Sequence, residues 1–214
     1  GFGSTREELQ DCLNNGYEQT VDNLLDSRNP DSINDALIRR YHPDHSSTHD
    51  MSGSGSYLLY RLASTSEPLK EKIPLFWNNI FATGYAKVTN GKPLTDQFRM
   101  FREHGMGSLD TLLLEISRDP AMIIWLDNID NHSGAINENY GRELLELFSM
   151  GVGNYTEDDI KECSRAFTGW TVANADYTKQ LAIRNSIWPY GKLAWRHEYI
   201  EQDHDNDPKA FLGE

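Results

Sequence analysis

The chain has 214 residues, enough for one domain or two small ones and for burying roughly 70% of the unfolded surface. Its 38% hydrophobic and 11% aromatic content argues against a disordered chain, and a net charge of −13 argues against nucleic acid, whose phosphates would be repelled. The acidic balance fits cations, a basic partner or plain solubility, and the longest apolar run, Ala121 to Leu126, is far short of the ~20 residues of a membrane span.

In chain order the pattern is helix after helix. Ser4-Thr5 followed by Glu7-Glu8 predicts a capped start, with Leu9, Cys12 and Leu13 at helical spacing. Gly16 ends that helix, and Tyr17, Val21, Leu24 and Leu25 form a second stripe. Pro30-Asp31-Ser32 opens a third helix with Ile33, Leu37 and Ile38 inward. Residues 42–56, "HPDHSSTHDMSGSGS", are polar and rich in Ser and Gly, and read as a flexible loop.

Helices resume with "YLLYRLAS" and "EPLKEKIPLFWNNIFATG". In the second, Leu69, Ile73, Phe76, Trp77 and Ile80 make the inward face, and Pro74 is expected to kink it. "TDQFRMFREHG" and "SLDTLLLEIS" follow. Asp119 is the predicted cap and Pro120 the first residue of the helix "AMIIWLDN". Residues 171–203 mix β-branched residues, aromatics, Pro189 and Gly191, and read as either a short hairpin or an irregular, extended excursion.

Residues 137–170, "NENYGRELLELFSMGVGNYTEDDIKECSRAFTGW", are the least ordinary stretch. On a helix, Tyr140, Leu144, Leu145, Leu147 and Phe148 fall on one side, and Glu138, Asn139, Arg142, Glu143, Glu146 and Ser149 on the other. Arg142 stands four residues from both Glu138 and Glu146, so ion pairs can form in either direction, each stabilising the helix by only ~0.3–0.5 kcal/mol. Gly151 and Gly153 stop the helix. Thr156 and Asp159 form a capping box for the next one, whose inward stripe is Ile160, Cys163, Phe167 and Trp170. The carboxylates are thus either a solvated face or the wall of a cleft. In the cleft reading, burial beside like charge would raise a carboxylate pKa as general acids require.

This stretch resembles the signature of the bacterial "domain of unknown function 1800" family: Asn-Glu-Asn-aromatic, Ala/Gly-Arg-Glu-Leu, a Gly-x-Gly turn, then a helix ending Thr-Gly-Trp. "GFGSTREELQ", "GYEQTVDNLLD", "LKEKIPLFWNNIFATGYAKV", "LLLEISRDPAMIIWLDN" and "HDNDPKAFLGE" are similar to its other blocks, so nearly the whole chain is covered. The resemblance implies a mostly helical fold, and the periodicity along the chain adds up to a mainly α, multi-helix globular bundle of about nine helices. The resemblance also implies a bacterial origin and an exported setting beside sulfatase-like or alkaline-phosphatase-like proteins. It brings no established reaction. The family domain runs on for about as long again, and the chain opens on Gly1 and stops after Glu214, so it reads as the N-terminal half, a single helical domain cut from a longer one. The lack of an export signal then says nothing of compartment. Where members commonly carry His-Asn-His, this chain has Asn78-Asn79-Ile80; it also reads Asn206-Asp207 where a Gly is common and Ala210 where a Thr is common. A metal site built on that histidine pair is therefore not carried over.

Other groups bear chemistry. His42, His45 and His49 sit in the Ser/Gly-rich segment, where nothing fixes the outer partners that a metal site needs. His197, Glu198, Asp203, His204 and Asp205 are a denser set that suits a transition metal or a His–Asp base, or else a turn whose carboxylates cap amides. Asn78 and Asn79 could line a polar pocket. Cys12 and Cys163 read as small buried hydrophobes. No phosphate-binding Gly loop, CxxC pair, HExxH motif or GxSxG elbow occurs. Two functions follow as expectations. One is an exported accessory or binding protein. The other is a divalent-metal-dependent hydrolase, with Glu138, Arg142 and Glu143 as catalytic residues and Glu146, His204 and Asp205 as metal ligands around one cleft.

Overall fold

The computed structural model describes residues 3–26, 33, 38, 51–173 and 195–213. Among these the chain forms nine α-helices and one small sheet. The helices are α1 (Arg6–Leu25), α2 (Met51–Ser64), α3 (Pro68–Phe81), α4 (Tyr85–Val88), α5 (Gly91–His104), α6 (Leu109–Ser117), α7 (Pro120–Trp125), α8 (Asn139–Glu143) and α9 (Glu157–Ala166). The backbone of α8 runs straight on into a π-helical segment, Leu144–Ser149. Strand β1 (Trp170–Val172) pairs antiparallel with β2 (His197–Tyr199), in the register Trp170 to Tyr199 and Val172 to His197. The mainly α architecture is as the sequence implies, and of the two readings of the segment after residue 170 a small two-strand antiparallel sheet is what forms among the described residues.

Local chemistry sets the helix ends. Thr5 and Glu8 close a capping box on α1, and Thr156 and Asp159 do so on α9. Asp119 caps α7, its side chain accepting from the Met122 amide at 2.9 Å, with Pro120 in the first turn, where its missing N–H costs nothing. At Gly16 the backbone leaves helical geometry (φ 73°, ψ −179°), so α1 is two short helices meeting at a kink.

Aromatic packing makes the main core. Phe81, Phe101, Leu112, Ile116, Met122, Leu126, Tyr140 and Phe148 are buried together. The Phe81 ring lies 5.6 Å from Phe101 and 4.9 Å from Phe148, tying α3, α5 and the π segment. A buried ion triad adds a second tie. Glu71 of α3 takes Arg61 of α2 at 2.9 Å and Arg102 of α5 through both oxygens, at 2.9 and 2.8 Å. All three side chains are nearly inaccessible, so removing one would leave an uncompensated charge at a cost of roughly 3–5 kcal/mol.

Several expectations need correcting. Residues 51–56 are the first turns of α2, not loop; Gly53 and Ser54 are buried there, and the small Ser54 lets the Thr95 hydroxyl of α5 come within 3.2 Å. Residues 42–50, with His42, His45 and His49, lie outside the described residues, as does most of 171–203 and of the third predicted helix, though Ile33 and Ile38 pack on Tyr57. Phe76 and Ile80, expected on the inward face of α3, face outward. The π winding resets the helical phase, so Leu147 comes out at 61% exposure while Leu145 and Phe148 stay in. The last helix stops at Ala166, and Trp170 belongs to β1. Cys163 is buried as expected, but Cys12 is exposed and α1 buries none of its residues.

Asp119 gives a pH signature. Burial pushes its carboxyl up to about 7, against the donors Met122 N–H and Gln97 Nε2. An unfolded aspartate releases its proton near ~3.9, so between pH 4 and pH 7 the folded chain holds a proton that the unfolded chain has lost. Stability therefore falls as pH rises through that window. Asp119→Asn is expected to gain on the wild type in urea midpoint from pH 4 to pH 8; a difference independent of pH would contradict it.

Candidate functional site

The site begins at a buried turn. Asn128 and Asn131, within and just after a 3-10 turn (Asn128–Asp130), are almost inaccessible. The Asn128 amide donates to the carbonyls of Phe167 (3.2 Å) and Trp170 (2.8 Å), and that of Asn131 to Ser164 (2.9 Å) and to Asn128 Oδ1 (3.1 Å). These carbonyls lie where α9 ends and the chain turns into β1; those of Ser164 and Phe167 also accept the amides of Phe167 and Trp170, and the asparagines give them a second donor. Asn131 Oδ1 accepts the Asn137 amide at 3.0 Å and so places the start of the signature. The Asn137 side chain then accepts from Asn139 N–H, launching α8.

From there α8 packs against α9 at very short range. A Cβ on Gly141 would stand 2.2 Å from Ser164 Oγ and 3.0 Å from its backbone nitrogen. Tyr140 points inward and donates to Ser117 Oγ at 2.6 Å. The other face of α8 carries the charges. Arg142 reaches Glu138 at 3.3 Å and forks onto Glu157 in the first turn of α9, at 3.0 and 2.8 Å. That fork holds the Glu157 carboxyl below its usual range. Glu143 is half-buried, and burial raises its carboxyl, with the neighbouring Glu146 raising it further. Glu146 accepts the Tyr155 hydroxyl at 3.3 Å.

The tail segment runs along α9 from Arg165 near its end back to Asp159 in its first turn. Arg165 grips Asp205 at 2.7 and 3.1 Å and also both oxygens of Glu162; its guanidinium holds Asp205 down at about 2. His204 Nδ1 donates to the Thr168 carbonyl at 2.8 Å, and the Thr168 hydroxyl accepts the Asp205 amide. Asp159 and Glu162 cap the amides of Leu212 and Ala210. Asp203 pairs with His132 Nδ1, and its carbonyl accepts the Ser133 amide. His197 meets the Trp170 ring edge-on with ring centres 4.8 Å apart, and burial lowers its pKa. Glu198 sits opposite Thr171 in the hairpin. Asn79 is exposed and Asn78 half-buried, on the outer side of α3.

The predicted residues thus fall into two sets rather than one. Glu138, Arg142, Glu143 and Glu146 gather at the start of α9, while His204 and Asp205 gather at its end. Glu157 and Arg165, the anchors of the two sets, are eight residues apart on one helix, about 12 Å at 1.5 Å per residue. Among the described residues no group of three or more His, Cys, Asp or Glu side chains is arranged to hold a metal ion. Sequence reasoning missed Asn128, Asn131 and His132. The last pairs with Asp203 across 71 residues, and no local pattern announces that.

A family model described as a protein of unknown function (DUF1800) matches residues 1–214. The chain belongs to the DUF1800 family. No curated protein and no solved structure matches it. For this DUF1800 chain the family carries no reaction, so the chemistry rests on the geometry above. Among the described residues, no helix is long and apolar enough to cross a membrane.

The α8–α9 contact is testable. Gly141→Ala forces a methyl into Ser164 and is expected to cost about 1–3 kcal/mol in urea unfolding. Gly55→Ala in α2, where the added carbon meets nothing within 4 Å, is expected to gain up to about 1 kcal/mol from helix propensity. Equal effects at the two positions would contradict the close approach.

Proposed function

We propose that this DUF1800 chain is an exported bacterial accessory or binding protein rather than an enzyme. One observation carries the reading: most of the charged groups in and around the signature are used inside the molecule. Arg142 joins Glu138 to Glu157, Arg165 joins Glu162 to Asp205, and Asp159 caps two segments. Groups locked this way fix the shape of a surface and are poor at turning over substrate. The exported setting and a sulfatase-like or alkaline-phosphatase-like partner come from the family resemblance, and the acidic charge fits a partner with a basic surface.

A second reading has an observation of its own. Glu143, raised by burial beside Glu146, stands where the α-helix passes into π winding, a feature that recurs at functional sites. It could serve as the general acid of a hydrolase, with a divalent metal on Glu146 as the further variant.

Elemental analysis of the purified protein, with Glu143→Gln and His204→Ala tested on sulfate and phosphate esters, separates the two. The binding reading expects both variants to fold, no stoichiometric metal and no ester hydrolysis in any of the three. Hydrolysis lost in Glu143→Gln, or one metal per chain lost in either variant, would replace it with the hydrolase.

A further inference from the structure

Two Asn-Gly steps occur in the sequence, Asn15-Gly16 and Asn90-Gly91, and the fold treats them differently. Such a step is open to an internal reaction, because no Cβ on the glycine hinders its backbone nitrogen from attacking the asparagine Cγ. The new bond joins that nitrogen to Cγ, the Cγ–Nδ2 bond breaks, and the displaced amide leaves as ammonia with the proton that the glycine nitrogen gave up. Water then opens the five-membered imide. Attack at Cγ gives aspartate, and attack at the backbone carbonyl gives isoaspartate, whose main chain runs through Cβ. Only water is consumed, so the rate depends on how freely the backbone reaches the ring geometry.

At Asn90 the fold opposes this. The side-chain oxygen accepts the Lys92 amide at 2.9 Å as the cap of α5, and Gly91, Pro93 and Thr95 are buried in the first turns. The Thr95 hydroxyl also donates to the Gly91 carbonyl at 2.9 Å. Closing the ring there means unpacking the start of α5. At Asn15 nothing comparable holds. Asn15 and Gly16 are exposed, and a Cβ on Gly16 would meet nothing within 4 Å. The neighbouring Asn14 and Asn23 oxygens accept from Gln10 and Gln19, whereas among the described residues no hydrogen bond fixes the Asn15 side chain. Gly16 leaves helical geometry, so the winding that keeps an asparagine away from the next amide is interrupted at this step. The pieces on either side are each shorter than the ~12–15 residues at which even a good isolated helix becomes marginal in water. None of the residues of α1 is buried, so opening its backbone costs little.

We propose that Asn15 is a site of spontaneous deamidation, converting to aspartate and isoaspartate, while its cap keeps Asn90 intact. The product adds a negative charge to a chain already at −13 and sets it four residues from Asp11, a like-charge pair that weakens the first half of α1. This chemistry stands apart from both functional readings above.

The test ages the purified full-length protein in mildly alkaline buffer and maps its tryptic peptides by mass spectrometry, with isoaspartate read by an isoaspartyl methyltransferase. The Asn15 peptide is expected to gain one mass unit at least tenfold faster than the Asn90 peptide, and fragmentation is expected to place the change at residue 15. In urea, where neither step has a fold around it, the two rates are expected to agree within twofold. Asn15→Gln is expected to remove both the methyl-accepting signal and the acidic band that grows on isoelectric focusing. Its side chain is exposed, so the variant should fold; unchanged circular dichroism confirms it. A smaller ratio in the folded protein, or a change placed at Asn14 or Asn23, overturns the proposal. So do rates in urea that differ as much as the native ones, because the contrast would then owe nothing to the fold. An Asn15 rate more than tenfold slower in the folded protein than in urea also overturns it, since packing over α1 would then shield the step.

Discussion

Two buried asparagine amides hold the centre of this molecule. Where α9 ends and the chain turns into β1, Thr168 and Gly169 are buried, so the carbonyls of Ser164, Phe167 and Trp170 must find donors inside the protein. Asn128 and Asn131 supply them, and Asn131 in turn accepts from Asn137 while its own carbonyl accepts from Gly169. One polar knot therefore fixes the end of α9, the start of the hairpin and the start of α8 together. An unsatisfied buried amide or carbonyl costs ~1–3 kcal/mol, so the three pieces cannot drift independently. Gly169 completes the knot: it takes a φ of +75°, and a side chain there would meet the Ile200 carbonyl at 2.6 Å.

Given that knot, the charges have few choices. Helices α8 and α9 meet face to face through Gly141 and Ser164, so the polar edges of both are left at the rim. There Arg142 bridges from one helix to the other, and Arg165 pins the tail segment along the far end of α9. The two arginines divide the acidic groups between opposite ends of one helix, which is why a dense run of carboxylates in sequence does not become a dense cluster in space. Glu143, at the end of α8, and Glu146, on the π-wound continuation, have no arginine fork; burial and the neighbouring Glu146 raise the Glu143 carboxyl, against the opposing charge of Arg142.

Much of this was legible in local sequence because its causes are local. Both capping boxes, the Asp119-Pro120 start and the break at Gly16 depend on residues within a turn or two of each other. What was not legible depends on the rest of the chain. Periodicity marks α1 and α3 as amphipathic but cannot say which side meets the body: Phe76 and Ile80, expected on an inward face, lie outside, and the helically spaced Leu9 and Leu13 are exposed. "MSGSGS" reads as loop by composition, yet its small side chains are what let α2 approach α5. The phase of Leu147 depends on a π turn that spacing does not reveal. In the candidate site, the residue types were readable and their grouping was not. His132 finds Asp203, and Arg165 finds Asp205, only after the tail has been laid on α9.

The way the helices are anchored bears on function. Helices α2, α3 and α5 are locked by Glu71 between Arg61 and Arg102, and α3, α5 and the π segment by stacked phenylalanines. Those ties are buried, so shifting any of these helices would expose charge or open a cavity. Among the described residues no such tie reaches α1, none of whose residues is buried. Among the described residues the buried ties therefore run through α2, α3, α5 and the π segment, and the two arginines of the signature hold its charges at the rim of that packed region.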